Sequence, residues 1–180
     1  MAQKLGSYIE PGHPEPICHR PFTTTLDGQP WSVAVGGPWL WAVRGSSSHK
    51  PVSEANERVS RVLEATPKDT QEVETLRLKS WANPLPDFRT FDPEGIREGV
   101  VLGVPLDLRR LACLLEHVHF SKLTLWDSTQ LVGVRSLGLE SRGKWRGYLA
   151  GLDSEADGPV FDFRPDGAAA FDLMSQLKED

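Results

Sequence analysis

Val100-Val101-Leu102-Gly103-Val104-Pro105-Leu106-Asp107-Leu108-Arg109-Arg110-Leu111-Ala112-Cys113-Leu114-Leu115 opens the stretch, running on to Leu152, whose reading decides the fold. Val100, Leu102 and Val104 alternate with their neighbours and predict a strand that runs into Pro105, a residue suited to the mouth of a helix. Leu108, Leu111, Ala112 and Leu115 then recur at i, i+3, i+4, i+7, one face of a 3.6-residue period, so a helix is expected over 106–117. After His119 the period becomes two. Lys122–Trp126, Gln130–Ser136 and Trp145–Leu152 are expected as three strands, with turns at Asp127-Ser128 and Ser141-Arg142-Gly143. A helix lying across one face of an antiparallel sheet satisfies this pattern, which is an α+β arrangement.

Upstream, Phe22–Leu26, Trp31–Val35 and Trp39–Val43 read as three more strands. Asp27-Gly28 is a hairpin turn between the first two, and Gly36-Gly37-Pro38 turns the chain again. Trp31, Trp39 and Trp41 are spaced to share one face of the resulting hairpin. Core or cross-strand packing and an aromatic protein-binding surface both fit that spacing.

Between the two blocks, Ser46–Gly99 reads as an insertion. Ser53 resembles a helix N-cap, and Val59, Val62 and Leu63 give a narrow apolar stripe on a helix ending near Ala65. Glu74–Trp81 is expected as a strand from the alternation of Leu76 and Leu78. Asn83–Gly99, rich in proline and charge, is expected as a long loop, and its Asp87, Asp92 and Glu94 as a solvated acidic stretch. Residues 1–21, broken by Pro11, Pro14 and Pro16, are expected to form a loosely structured arm. Residues 154–180 are expected to add a short strand at Val160–Phe163 and a terminal helix over Gly167–Leu177. The domain proper is therefore 22–153.

Composition narrows the function classes. The 180 residues carry a net charge of −5, which excludes nucleic-acid binding by bulk charge. A local basic cluster remains at Arg135, Arg142, Lys144 and Arg146 around Trp145. No apolar run is long enough to span a bilayer or serve as a secretory signal, so no membrane partner and a cytoplasmic location are expected. Two cysteines, Cys18 and Cys113, make no disulfide framework. Cys113 with His117 and His119, or His13 with Cys18 and His19, have zinc-ligand chemistry, with His117 and His119 on one face if they sit on a strand. Neither set has a strong ligand spacing, and neither a nucleophile elbow nor a phosphate-cradling glycine loop is present. No metal, no cofactor and no catalytic residue is expected, and the chain is read as a non-enzyme.

The spacing of Leu26-Asp27-Gly28 and Trp39-Leu40-Trp41-Ala42-Val43-Arg44, then Val101–Leu111 and the three closing strands, resembles a single domain of the bacterial DNA sliding clamp, the polymerase processivity factor. That resemblance implies a curved antiparallel sheet backed by two or three helices. It also implies a binding module, accessory to DNA replication or repair, with protein partners, DNA as a candidate partner and self-association into a ring. A clamp's helices face DNA phosphates, and the arginines so placed here are Arg58 and Arg61 on one helix and Arg109 and Arg110 on another. A stand-alone protein-binding domain using the Trp31, Trp39 and Trp41 face is the alternative, and an unrecognised hydrolase or zinc protein a further one.

Overall fold

β1 (Phe22–Leu26), β2 (Gln29–Val35) and β3 (Trp39–Arg44) form an antiparallel meander. The first turn, Asp27-Gly28, has φ of 49° and 74°, the paired left-handed conformation that matches the twist of the flanking strands. A second meander comprises β7 (Lys122–Asp127), β8 (Ser136–Ser141) and β9 (Trp145–Ala150). The two are joined where β9 pairs with β3, Trp41 opposite Gly147. β4 (Gln71–Glu74) adds to β7, so the sheet runs β1-β2-β3-β9-β8-β7-β4, antiparallel throughout. A smaller sheet, in the order β10-β5-β6, consists of the hairpin β5 (Ile96–Val101) and β6 (Val104–Asp107) with β10 (Asp162–Arg164) on its flank. The computed structural model describes residues 5, 8–45, 57–82, 96–153, 162–164, 170–173 and 177.

Alternation along the strands sends side chains to two cores. On β3, Trp39, Trp41 and Val43 face one way, and Leu40 and Ala42 the other. The first face is covered by α2 (Thr75–Ala82), α3 (Leu108–Leu115) and the β5–β6 hairpin. The second is covered by α1 (Glu57–Glu64), whose Val59, Val62 and Leu63 are buried, together with Cys18, Leu173 and Leu177. Both faces of the large sheet are therefore buried. Gly138 sits directly opposite Trp126, and a Cβ there would land inside the indole, so the large ring requires the glycine beneath it.

Several expected elements differ. Val100–Val104 is not one strand but the hairpin β5–β6, because Leu102 and Gly103 both take positive φ, 52° and 79°. Glu74–Trp81 is a helix except for its first residue. The inward positions are Thr75, Leu78 and Ala82, a helical spacing, whereas Leu76, two residues before Leu78, is 76% exposed. Gln130–Ser136 begins inside α4 (Thr129–Val132), ended by Gly133 at φ 96°, and the strand begins only at Ser136. The arm is not loose where it is described. Leu5 and Tyr8 are fully buried, and a 3-10 turn at Pro16–Cys18 buries Cys18. Within the span expected as the terminal helix, Ala170 bridges Leu152 and Phe171 N–H donates to the Gly151 carbonyl, so these two residues are not helical. The short strand past Asp157 is present as β10. The Ser53 cap and the acidic loop of Asp87, Asp92 and Glu94 lie outside the described residues, as do residues 165–169 and 174–176.

Candidate functional site

The three tryptophans do not share a face. Trp31 pairs opposite Arg44, out of phase with Ala34 opposite Trp41, so it packs half-buried on the second core. Trp41 is 1% exposed in the first core, and Trp39 is half-buried beside it. The arm covers these rings. Tyr8 stacks on Trp41 at 5.2 Å and meets Trp39 edge-on at 4.7 Å. Trp145 closes on Trp41 from the sheet at 4.2 Å. Trp41 is thus a core residue and not a surface contact.

The four arginines are also divided. Arg58 and Arg61 lie on α1, and Arg109 and Arg110 on α3, across the sheet. They form no common surface for a phosphate backbone. Arg109 and Arg110 moreover engage Asp107, the buried N-cap of α3. Its Oδ1 accepts from Arg109 N–H at 3.0 Å, and its Oδ2 lies 3.2 Å from Arg109 Nη2 and 3.5 Å from Arg110 Nε. A cleft of about 370 Å³ beside this cap is bordered by Glu10, Phe171 and Asp172. Arg146, from the basic cluster, bonds Glu140, and Arg142 stands 5.8 Å over the Phe120 ring.

The zinc-ligand candidates serve packing. His117 and His119 follow α3 in a turn rather than a strand, and His117 meets the Tyr8 ring edge-on at 5.5 Å. Burial, more than the nearby Glu116 carboxylate, pushes the Cys113 thiol up. Burial likewise holds Cys18 at about 12, with Asp172, Glu10 and Glu15 adding to it. His13 accepts Glu15 N–H at Nδ1 (3.1 Å) and donates from Nε2 to Asp172 (2.8 Å), which ties the arm to the C-terminal segment. His19 Nε2 bonds the His13 carbonyl at 2.6 Å. Among the described residues no three His, Cys, Asp or Glu side chains converge on a metal site.

An apolar concavity lies elsewhere, a groove of about 720 Å³ between the loop after α1 and the β7–α4 corner. Pro67, Trp126 and Leu131 line it, Lys68, Asp69 and Asp127 are its polar members, and Leu102 projects into it from the β5–β6 tip. The wall is firmly set. Tyr148 Oη donates to the Val62 carbonyl at 2.6 Å, and Arg146 Nη1 to the carbonyls of Leu63 and Ala65 at 2.7 and 2.6 Å, satisfying the last turn of α1. The same guanidinium stands 5.6 Å over the Trp126 ring. Leu102 is 36% exposed at φ 52°, a conformation that costs a non-glycine residue about 1 kcal/mol or more. Sequence reasoning missed this groove. The Leu102-Gly103 pair was its one local signal, since glycine beside an exposed apolar residue marks a turn as readily as a strand.

No protein-family model matches the chain, and no curated protein matches it in sequence. Solved structures do. The DNA polymerase III β chain of Streptococcus pneumoniae TIGR4 superposes with a TM-score of 0.59 at 10% identity, over 87% of this chain and 63% of that one. The Thermotoga maritima β subunit gives 0.54 at 11% identity, over 87% and 62%. A candidate β subunit from Eubacterium rectale ATCC 33656 gives 0.62 at 5% identity, over 85% and 62%. The chain spans less than two thirds of each of these neighbours. Among the described residues no helix is long and apolar enough to cross a membrane. Mixed α and β with a large antiparallel sheet, this chain has the fold of a domain of the DNA polymerase III β subunit, the sliding clamp.

Proposed function

We propose that the chain is a non-enzymatic interaction module of the replication machinery, a clamp-like domain that holds an apolar peptide segment of a replication protein in the groove between Pro67, Leu102, Trp126 and Leu131. The observation that carries this reading is the groove itself: a preformed apolar concavity, with Leu102 held in a costly backbone conformation at its lip. The fold shared with the polymerase III β subunits supplies the replication context. Arg58 and Arg61 stand across the sheet from Arg109 and Arg110, so protein contact is favoured over phosphate tracking.

Fluorescence anisotropy with labelled peptides tiled from replicative polymerase and clamp-loader subunits tests it. Saturable binding of one tile is expected, weakened at least about tenfold by Leu102→Asp. Aspartate tolerates positive φ better than leucine, so this variant keeps its melting temperature. Unchanged binding by the variant, or tight salt-sensitive binding of duplex DNA with no peptide bound, overturns the reading.

A further inference from the structure

Leu76 is the most exposed large apolar side chain among the described residues, and it does not stand alone. It borders a recess of about 530 Å³ between the start of α2 and the turn after α3, floored by Val118 and Phe120. The recess is built from tied parts. Thr75 donates its hydroxyl to the Phe120 carbonyl at 2.5 Å and its N–H to the Ser121 carbonyl at 2.9 Å. Lys79, on the next turn of α2, donates to the Val118 carbonyl at 3.1 Å. These bonds fix α2 to the 118–121 segment on both sides of Leu76. None of the recess residues lines the groove beside Trp126.

Charge selects the occupant. Lys79 and Lys122 line the recess together with His119, and Arg142 stands over its Phe120 ring. Glu74 is the one carboxylate in the lining. Lys79 spends one of its three N–H bonds on Val118, and Lys122 meets Glu72 at 3.3 Å with both side chains more than 60% exposed, a pair that exchanges at little cost. A cationic rim on an apolar floor is a local reversal in a chain of net charge −5. We infer that this recess docks a short acidic segment of a partner protein. One apolar side chain of that segment seats against Leu76 and Phe120, and the flanking carboxylates meet Lys79, Lys122 and Arg142. The site stands or falls separately from the Trp126 groove.

The probe is a fluorescein-labelled peptide with a single central leucine flanked by aspartates and glutamates, titrated against the full chain. Saturable binding is expected, weakening about tenfold between about 50 and about 500 mM salt. Leu76→Ser and Arg142→Glu each lower the affinity at least about tenfold. Both positions are exposed, so thermal melts of these variants match the parent. Equal binding of a peptide with lysines in place of the acids, unchanged binding by Leu76→Ser, or no saturation overturns the inference. So does concentration-dependent dimerisation abolished by Leu76→Ser in light scattering, which would assign the recess to a second copy of this chain.

Discussion

On one face of the sheet, α3 brings four fully buried leucines, Leu108, Leu111, Leu114 and Leu115, and a carboxylate cap at Asp107. On the other, α1 brings Val59, Val62 and Leu63, and its last carbonyls are bonded by Tyr148 and Arg146 from the sheet. At roughly 2 kcal/mol per buried aliphatic side chain, three against four leaves α1 about 2 kcal/mol short. Three hydrogen bonds to its carbonyls, at about 1 kcal/mol each, offset that difference. One helix is fastened by area and the other by capture of its end. The groove proposed for a partner is walled by the fastening of the second.

The sharpest break in this contrast comes from Leu111→Ala. Removing a fully buried leucine leaves a cavity, and a loss of about 3 kcal/mol is expected in urea unfolding, with the midpoint shifted and the slope unchanged. Arg146→Ala follows at about 2 kcal/mol, because two carbonyls of α1 lose their donor and Glu140 is left half-buried without its cation. Hydrogen exchange places the damage: faster exchange in residues 57–64 with 108–115 unchanged supports end-capture, and uniform acceleration removes it. Tyr148→Phe deletes a single bond to Val62 and is expected to cost about 1 kcal/mol, again confined to α1.

A pH dependence reads the two faces separately. The chain has two tyrosines, Tyr8 on the α3 face and Tyr148 on the α1 face, both fully buried. Burial raises Tyr148 to about 12 and Tyr8 further still, desolvation of the phenolate being the leading cause in each. A phenol that holds its proton more tightly when folded contributes its stability in full below about pH 10 and loses it as the pH rises toward 12. Tyrosinate absorbance should therefore rise together with unfolding and not before it. Tyr148→Phe should remove its share of the loss of stability between about pH 10 and 12 and leave that of Tyr8. A normal tyrosinate titration in the folded protein would show that the phenols are open to water.

What could be read in the chain follows the same division. α3 was legible because Leu108, Leu111 and Leu115 repeat at helical spacing over one continuous segment, and the first hairpin because Asp27-Gly28 names its own turn. α2 was not, since in eight residues Leu76 and Leu78 imitate a strand while Thr75, Leu78 and Ala82 mark the true face. The bonds that hold α1 were beyond reach altogether. Period shows which way a side chain points from its own strand, but nothing in it tells that Arg146 meets the carbonyl of Leu63, 83 positions away. For the same reason Trp31, Trp39 and Trp41 looked like one surface. The turn at Gly36–Pro38 sets the register that places Trp31 on the opposite side, and a register slip of one residue reverses every side chain.

The burial of Tyr8 and of Leu177 in different cores sets an order on folding. The core beneath α3 draws on the chain from Leu5 to Leu149, whereas the one beneath α1 needs Leu173 and Leu177. As the polypeptide leaves the ribosome, the α3 side can close while the α1 side still lacks its final leucines. The nascent sheet can thus pass through a stage with one face sealed and the other covered by α1 but still short of Leu173 and Leu177.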